Sequence, residues 1–194
     1  MIKCFLPPEF SKMEISNQMR LAWEQHVYWT RMALLSIAHR LNDESDVITR
    51  LLQNPGDIAA IFAKFYNAGA VMAIEWLLTV HLQTGAQIIT ALRDGDVEQA
   101  ARLQKNWFQN ADQMASAFSS INPYYNQDEL RDMLYQHLLL TTQEVAARLA
   151  GKYSIDIAVF GEIETEAMAM ADNFTTGLCK QFPERFCPRP VPRR

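Results

Sequence analysis

The sequence is short of the residues that punctuate a chain. It holds seven glycines and eight prolines in 194 residues, and only Pro55 and Pro123 fall between positions 9 and 182. An all-β fold needs a turn about every 8–12 residues, so this scarcity excludes one and points to long helices. Three cysteines (Cys4, Cys179 and Cys187) are an odd number at wide spacing, and make neither a disulfide framework nor a zinc pattern. No apolar run reaches the roughly 18 residues of a membrane-spanning helix. The start, Met1-Ile2-Lys3-Cys4-Phe5-Leu6-Pro7-Pro8, has no long apolar segment and no small-residue cleavage site. The chain is therefore expected in the cytoplasm, away from membranes.

Chemical signatures are also missing. There is no G-x-x-x-x-G-K-[ST], G-x-G-x-x-G or G-x-S-x-G loop, so no nucleotide cofactor is expected. H-E-x-x-H and C-x-x-C are absent, as is the paired E-x-x-H of di-iron bundles. Positive charge is in deficit too. With 22 acidic and 18 basic residues the net charge is −4, which argues against a nucleic-acid partner.

What remains is apolar and helical. Hydrophobic residues make up 49%, enough for one folded domain with a real core. The reading is all-α: a mostly antiparallel, up-and-down bundle at 13–182, with an irregular arm at 1–12 and a flexible Pro/Arg-rich tail at 183–194. Five long helices are expected at 13–41, 70–93, 97–118, 127–150 and 154–182. Two short ones, at about 46–53 and 57–66, are expected to be separated by Asn54-Pro55-Gly56. His39, near the end of the first helix, reads as a favourable charge at a helix C-terminus. The first helix is apolar nearly all round, which implies self-association as a dimer unless residues 46–66 cover it within the chain.

Residues 73–118 can be laid on 129–174 without a gap, at an offset of 56. The identities include Leu78/Leu134, His81/His137, Leu82/Leu138, Gly95/Gly151, Met114/Met170 and Phe118/Phe174. Each stretch is helix, glycine turn, helix, so an internal αα-hairpin repeat is expected. A weaker match places His26 on His81.

His26, His81 and His137 each fall near the middle of a long helix, and Glu166 near the middle of the last one. Mid-helix positions of an antiparallel bundle share a layer. Three imidazoles and a carboxylate are thus expected to converge, a set that Fe, Zn, Mn or Ni would accept. The alternative is a non-catalytic structural or interaction protein, whose polar His/Glu layer only fixes helix register. The last helix sharpens the question. From Tyr153 to Cys179 it has no Lys or Arg, yet it carries Asp156, Glu162, Glu164, Glu166 and Asp172. A metal ion, or Arg31, Arg93 or Arg148 from other helices, would balance it.

The segments Trp23–Arg31, Ser119–Asn126 and Leu140–Leu149 resemble a family of small, uncharacterised helical proteins of Gram-positive bacteria, over roughly residues 15–185. Members sometimes carry the label acetylglutamate kinase. Such kinases are α/β proteins with glycine-rich phosphate loops after strands, and this sequence has neither. The stretch from His26 to Arg31 also resembles the first helix of ferritin-like bundles. That resemblance implies metal binding and carries over His26 alone.

Overall fold

The computed structural model describes residues 5–6, 8–187 and 189–190, with side chains from 8 to 187. The outer parts of the expected arm and tail lie outside the described residues. Five long helices dominate: α1 (Lys12–His39), α4 (Ala68–Arg93), α5 (Val97–Ile121), α6 (Gln127–Leu149) and α7 (Tyr153–Gln181). Two short helices, α2 (Glu44–Leu51) and α3 (Asn54–Phe62), connect α1 to α4, and α8 (Pro183–Phe186) is a single turn. A two-residue antiparallel pairing joins β1 (Phe5–Leu6) to β2 (Arg189–Pro190). No helix among the described residues is long and apolar enough to cross a membrane.

Local chemistry sets the helix limits. Asn67, Asp96 and Asn126 cap α4, α5 and α6 by accepting backbone N–H groups of the first turn. Gly95 and Gly151 end α4 and α6 at φ of 76° and 70°, where a side chain would be strained. The closing bonds match: Asp96 N–H donates to Ala91 O and Lys152 N–H to Ala147 O, both at 2.9 Å. One expected boundary moves. Asn54-Pro55-Gly56 does not separate the short helices but forms the first turn of α3, where proline's missing N–H costs nothing.

The long helices close into a ring in the order α1, α4, α5, α6, α7 and back to α1. The turns at 94–96, 122–126 and 150–152 are short, so α4 through α7 alternate in direction. Helices α1 and α7 are also antiparallel, since Arg20 pairs with Asp172 and Arg31 with Asp156. Of the neighbouring pairs, only α1 and α4 run parallel: His26 lies beside His81, and Arg93 donates to Ile37 O. A parallel neighbour needs a return path, and α2 and α3 supply it. On the way, Val47 and Leu51 pack with Ala33, Leu34 and Ile37, while Ile58, Ile61 and Phe62 join the cluster around Met19 and Trp23. The apolar face of α1 that suggested self-association is thus largely covered within the chain. Leu21 and Tyr28 remain exposed.

The core has three levels. Trp23, Phe62, Phe118 and Phe174 form an aromatic level, with Phe118 and Phe174 centroids 4.5 Å apart. The histidines come next, and beyond them an aliphatic level of Leu34, Ile37, Leu82, Ile89 and Val145. Part of the Pro/Arg-rich end is packed rather than free. Phe186 stacks on Phe65 at 5.8 Å, and the Arg185 guanidinium lies over Phe10 and Phe65. Aromatic rings give this turn an anchor that composition alone did not suggest.

Charges on α7 find cationic partners from other helices. The carboxylate of Asp156 is fully buried, and both Arg31 and Arg148 donate to it, the latter at 2.6 Å. Arg31 also donates to Glu144 Oε1 at 2.6 Å, tying α1 to α6 and α7. Burial pushes the Glu144 carboxyl above its ordinary pKa, against the pull of Arg31. Asp172 pairs with Arg20 at the surface, while Glu162 and Glu164 face solvent. Asp156→Ala would leave two guanidinium groups without their main partner, and is expected to cost about 3–5 kcal/mol in urea unfolding. A loss below about 1 kcal/mol, the range of an exposed pair, would show that the network does not join the helices.

Candidate metal centre

His26, His81 and His137 are 2%, 2% and 4% exposed, and they converge from three parallel helices. Their ring centroids are 5.7–6.2 Å apart. Each ring has a nitrogen within 4.8 Å of a nitrogen of both others. Glu166, expected as a fourth member, is not in this cluster. It stands behind His137, where its Oε2 lies 3.1 Å from Nδ1.

The hydrogen bonds behind the rings decide the protonation of each. Asn54 Nδ2 donates to Ala22 O at 2.8 Å, and Asn110 Nδ2 donates to Leu77 O at 3.1 Å. With the amide nitrogens fixed on carbonyls, Oδ1 of each asparagine is the atom turned to a ring. It lies 3.0 Å from His26 Nδ1 and 3.1 Å from His81 Nδ1. An amide oxygen only accepts, so both Nδ1 atoms carry the proton. Glu166 is likewise an acceptor for His137 Nδ1–H. In a neutral ring Nε2 then holds a lone pair and no proton. All three histidines are therefore polarised the same way, with the N–H outward and the lone pair free.

Burial opposes protonation of two of the rings, His26 and His81. Burial, then the neighbouring histidine charges, depress the pKa of His81 well below the ordinary value of 6.5. For His26 the same causes bring it down to about 3, against a small upward pull from Asn54. Trp107 lies 5.1 Å from the His81 ring and donates its indole N–H to His81 O at 2.9 Å. Gly85 makes room for that indole, since a Cβ there would sit 3.3 Å from Trp107 Cζ2. Above the rings is a small cavity, of about 20 Å³ open to the centre of a water molecule, lined by aliphatic side chains and by Thr30, Thr141 and Thr142.

This donor set suits a transition ion. Three neutral imidazole nitrogens in a buried site are ordinary ligands for Zn, Fe, Mn or Ni, and outward N–H bonds to carboxylate or amide oxygens are how such ligands are oriented. The second oxygen of Glu166 is buried with no hydrogen-bond partner. Comparison with protein families, with curated proteins and with solved structures found no match.

Sequence reasoning brought the three histidines and Glu166 to one layer, expected Glu166 as a ligand, and missed Asn54 and Asn110. The signal was there. His81 and Asn110 are 29 positions apart, as are His137 and Glu166, and His26 precedes Asn54 by 28. The 56-residue overlay sets Asn110 on Glu166, a pairing of unlike residues that an identity count passes over.

The shifted rings set an acid dependence for the metal-free protein. Below about pH 6.5 the unfolded chain takes up protons that folded His26 and His81 refuse. Stability is then present above 6.5 and falls as the pH drops, by up to about 1.4 kcal/mol per pH unit for each ring. The raised pKa of Glu144 acts in the opposite sense nearer the carboxylate range, so the window to read is about pH 6.5 to 5. Urea midpoints measured without metal should fall steadily across it. A midpoint that does not change would show that the two rings titrate as they do in the unfolded chain.

Proposed function

We propose that the protein is a metal-binding helical bundle, holding one first-row transition ion on Nε2 of His26, His81 and His137. One observation carries this reading: every Nδ1–H at the layer is turned outward onto a buried acceptor, which leaves three lone pairs with no protons among them. Buried acceptors without donors are costly, and a cation satisfies all three at once. Glu166 then acts through His137, raising its basicity, rather than as a ligand. The likeness of the two hairpins supports an origin by duplication, with the carboxylate in one copy where the other has an amide. The ferritin-like resemblance agrees with metal binding and adds no ligand beyond His26.

The competing reading is a structural layer. The 3.1 Å approach of His137 and Glu166 is also the geometry of a buried ion pair that would fix the register of α6 on α7. Protein purified without added metal separates the two. The proposal expects close to one equivalent of Zn, Fe, Mn or Ni by elemental analysis, and a chelator that lowers the melting temperature of wild type but not of His137→Ala. If instead His137→Ala lowers stability by about 1–3 kcal/mol with or without chelator, the layer is structural. Asn110→Ala supplies a finer test. It leaves all ligands in place but frees the His81 ring, and is expected to weaken metal binding roughly 10–100-fold. Unchanged affinity would mean that the asparagines do not orient ligands.

A further inference from the structure

We infer that the ion's remaining coordination position opens into the cavity over the histidines, and that it binds a small ligand of one or two heavy atoms, entering past Leu51, Leu82 and Ala86. This rests on the metal reading above and adds to it a ligand class and a route.

Size is the first argument. The cavity offers about 20 Å³ to the centre of a water-sized sphere, enough for one such ligand and too little for a ring. The second argument is chemical: every side-chain donor lining the cavity is already committed. Thr30, Thr141 and Thr142 donate to the carbonyls of His26, His137 and Leu138 at 2.7–2.9 Å. The Trp107 indole donates to His81 O, and the three imidazole N–H groups face Asn54, Asn110 and Glu166. Arg31 and Arg148 are held by Glu144 and Asp156, and no arginine or lysine lines the cavity. A ligand entering the cavity would therefore be held by the ion itself and not by side-chain donors. An apolar diatomic loses nothing, and a water on the ion can donate its protons to the threonine oxygens.

The third argument concerns access. Leu51, Leu82 and Ala86 line the cavity on one side and, on the other, an open groove between α2 and the α4–α5 hairpin. These three side chains are the wall between the histidines and solvent on that side. The wall is apolar, so it passes small neutral molecules more readily than ions.

The test uses the full chain loaded with Fe(II) or Co(II) without oxygen, with metal content measured first. Nitric oxide should give the half-integer-spin electron paramagnetic resonance signal of an iron–nitrosyl adduct. Azide, with three heavy atoms, and imidazole, a ring, are too large and should leave the visible absorption of the Co(II) protein unchanged. Ala86→Leu, which thickens the wall, should keep the metal and slow adduct formation several-fold in stopped flow. Iron bound in one equivalent with no nitrosyl signal, or a spectrum shifted by azide or imidazole, would overturn the ligand class while leaving the metal site standing. An unchanged rate in Ala86→Leu would overturn the route. Absence of bound metal would instead sink the underlying reading.

Discussion

The outward bond from each imidazole Nδ1 is the constraint on which the rest of this molecule depends. A buried histidine has two nitrogens to satisfy, and a helix can supply at most one partner without help from its neighbours. Here Asn54, Asn110 and Glu166 take the N–H, and each sits on a different helix from the ring that it serves: α3 behind α1, α5 behind α4, α7 behind α6. The three bonds therefore lock three helix pairs in rotation and in register. They also turn Nε2 of each ring away from these partners, so a structural need and a chemical capacity occur at the same level of the bundle.

The path between α1 and α4 is longer than the other connections. Helix α1 lies parallel to its neighbour α4, and a parallel neighbour cannot be reached by a tight turn. The chain returns through α2 and α3, and the return is used twice. Helix α3 begins at Asn54, whose side chain reaches both the His26 ring and Ala22 O. Leu51, the last residue of α2, contributes to the wall of the cavity. A crossover that topology demands thus also carries the orienting residue of one histidine.

Much of this was legible in the sequence, because long helices with few interruptions leave strong periodic signals. The glycine turns at Gly95 and Gly151, the asparagine stop before Pro123 and the mid-helix histidines all gave the right elements within a few residues. What was not legible came from tertiary contacts. Asn54 read as a helix breaker because Asn-Pro-Gly is a turn sequence, yet proline at the first turn of a helix costs nothing and the asparagine was needed inside. Glu166 was placed in the right layer but in the wrong relation to the rings, since mid-helix position fixes height along the bundle and not the direction of a side chain. The anchoring of the C-terminal turn rested on Phe186 meeting Phe65, a contact between residues more than a hundred positions apart.

The unlike partners of the three rings follow burial. Asn54 and Asn110 are 0% and 3% exposed, and a carboxylate at either place would be shut away from water beside a neutral ring. Glu166 occupies the corresponding position of the second hairpin, but its side chain is 11% exposed and lines an outer groove between α6 and α7. An amide thus stands where the partner is sealed off, and the carboxyl group stands at the rim. The choice has an electrostatic consequence for any ion at the centre. Two amides orient their histidines without adding charge, so the negative charge on these three partners comes from Glu166 alone and is delivered through His137. A divalent ion would be incompletely neutralised by it.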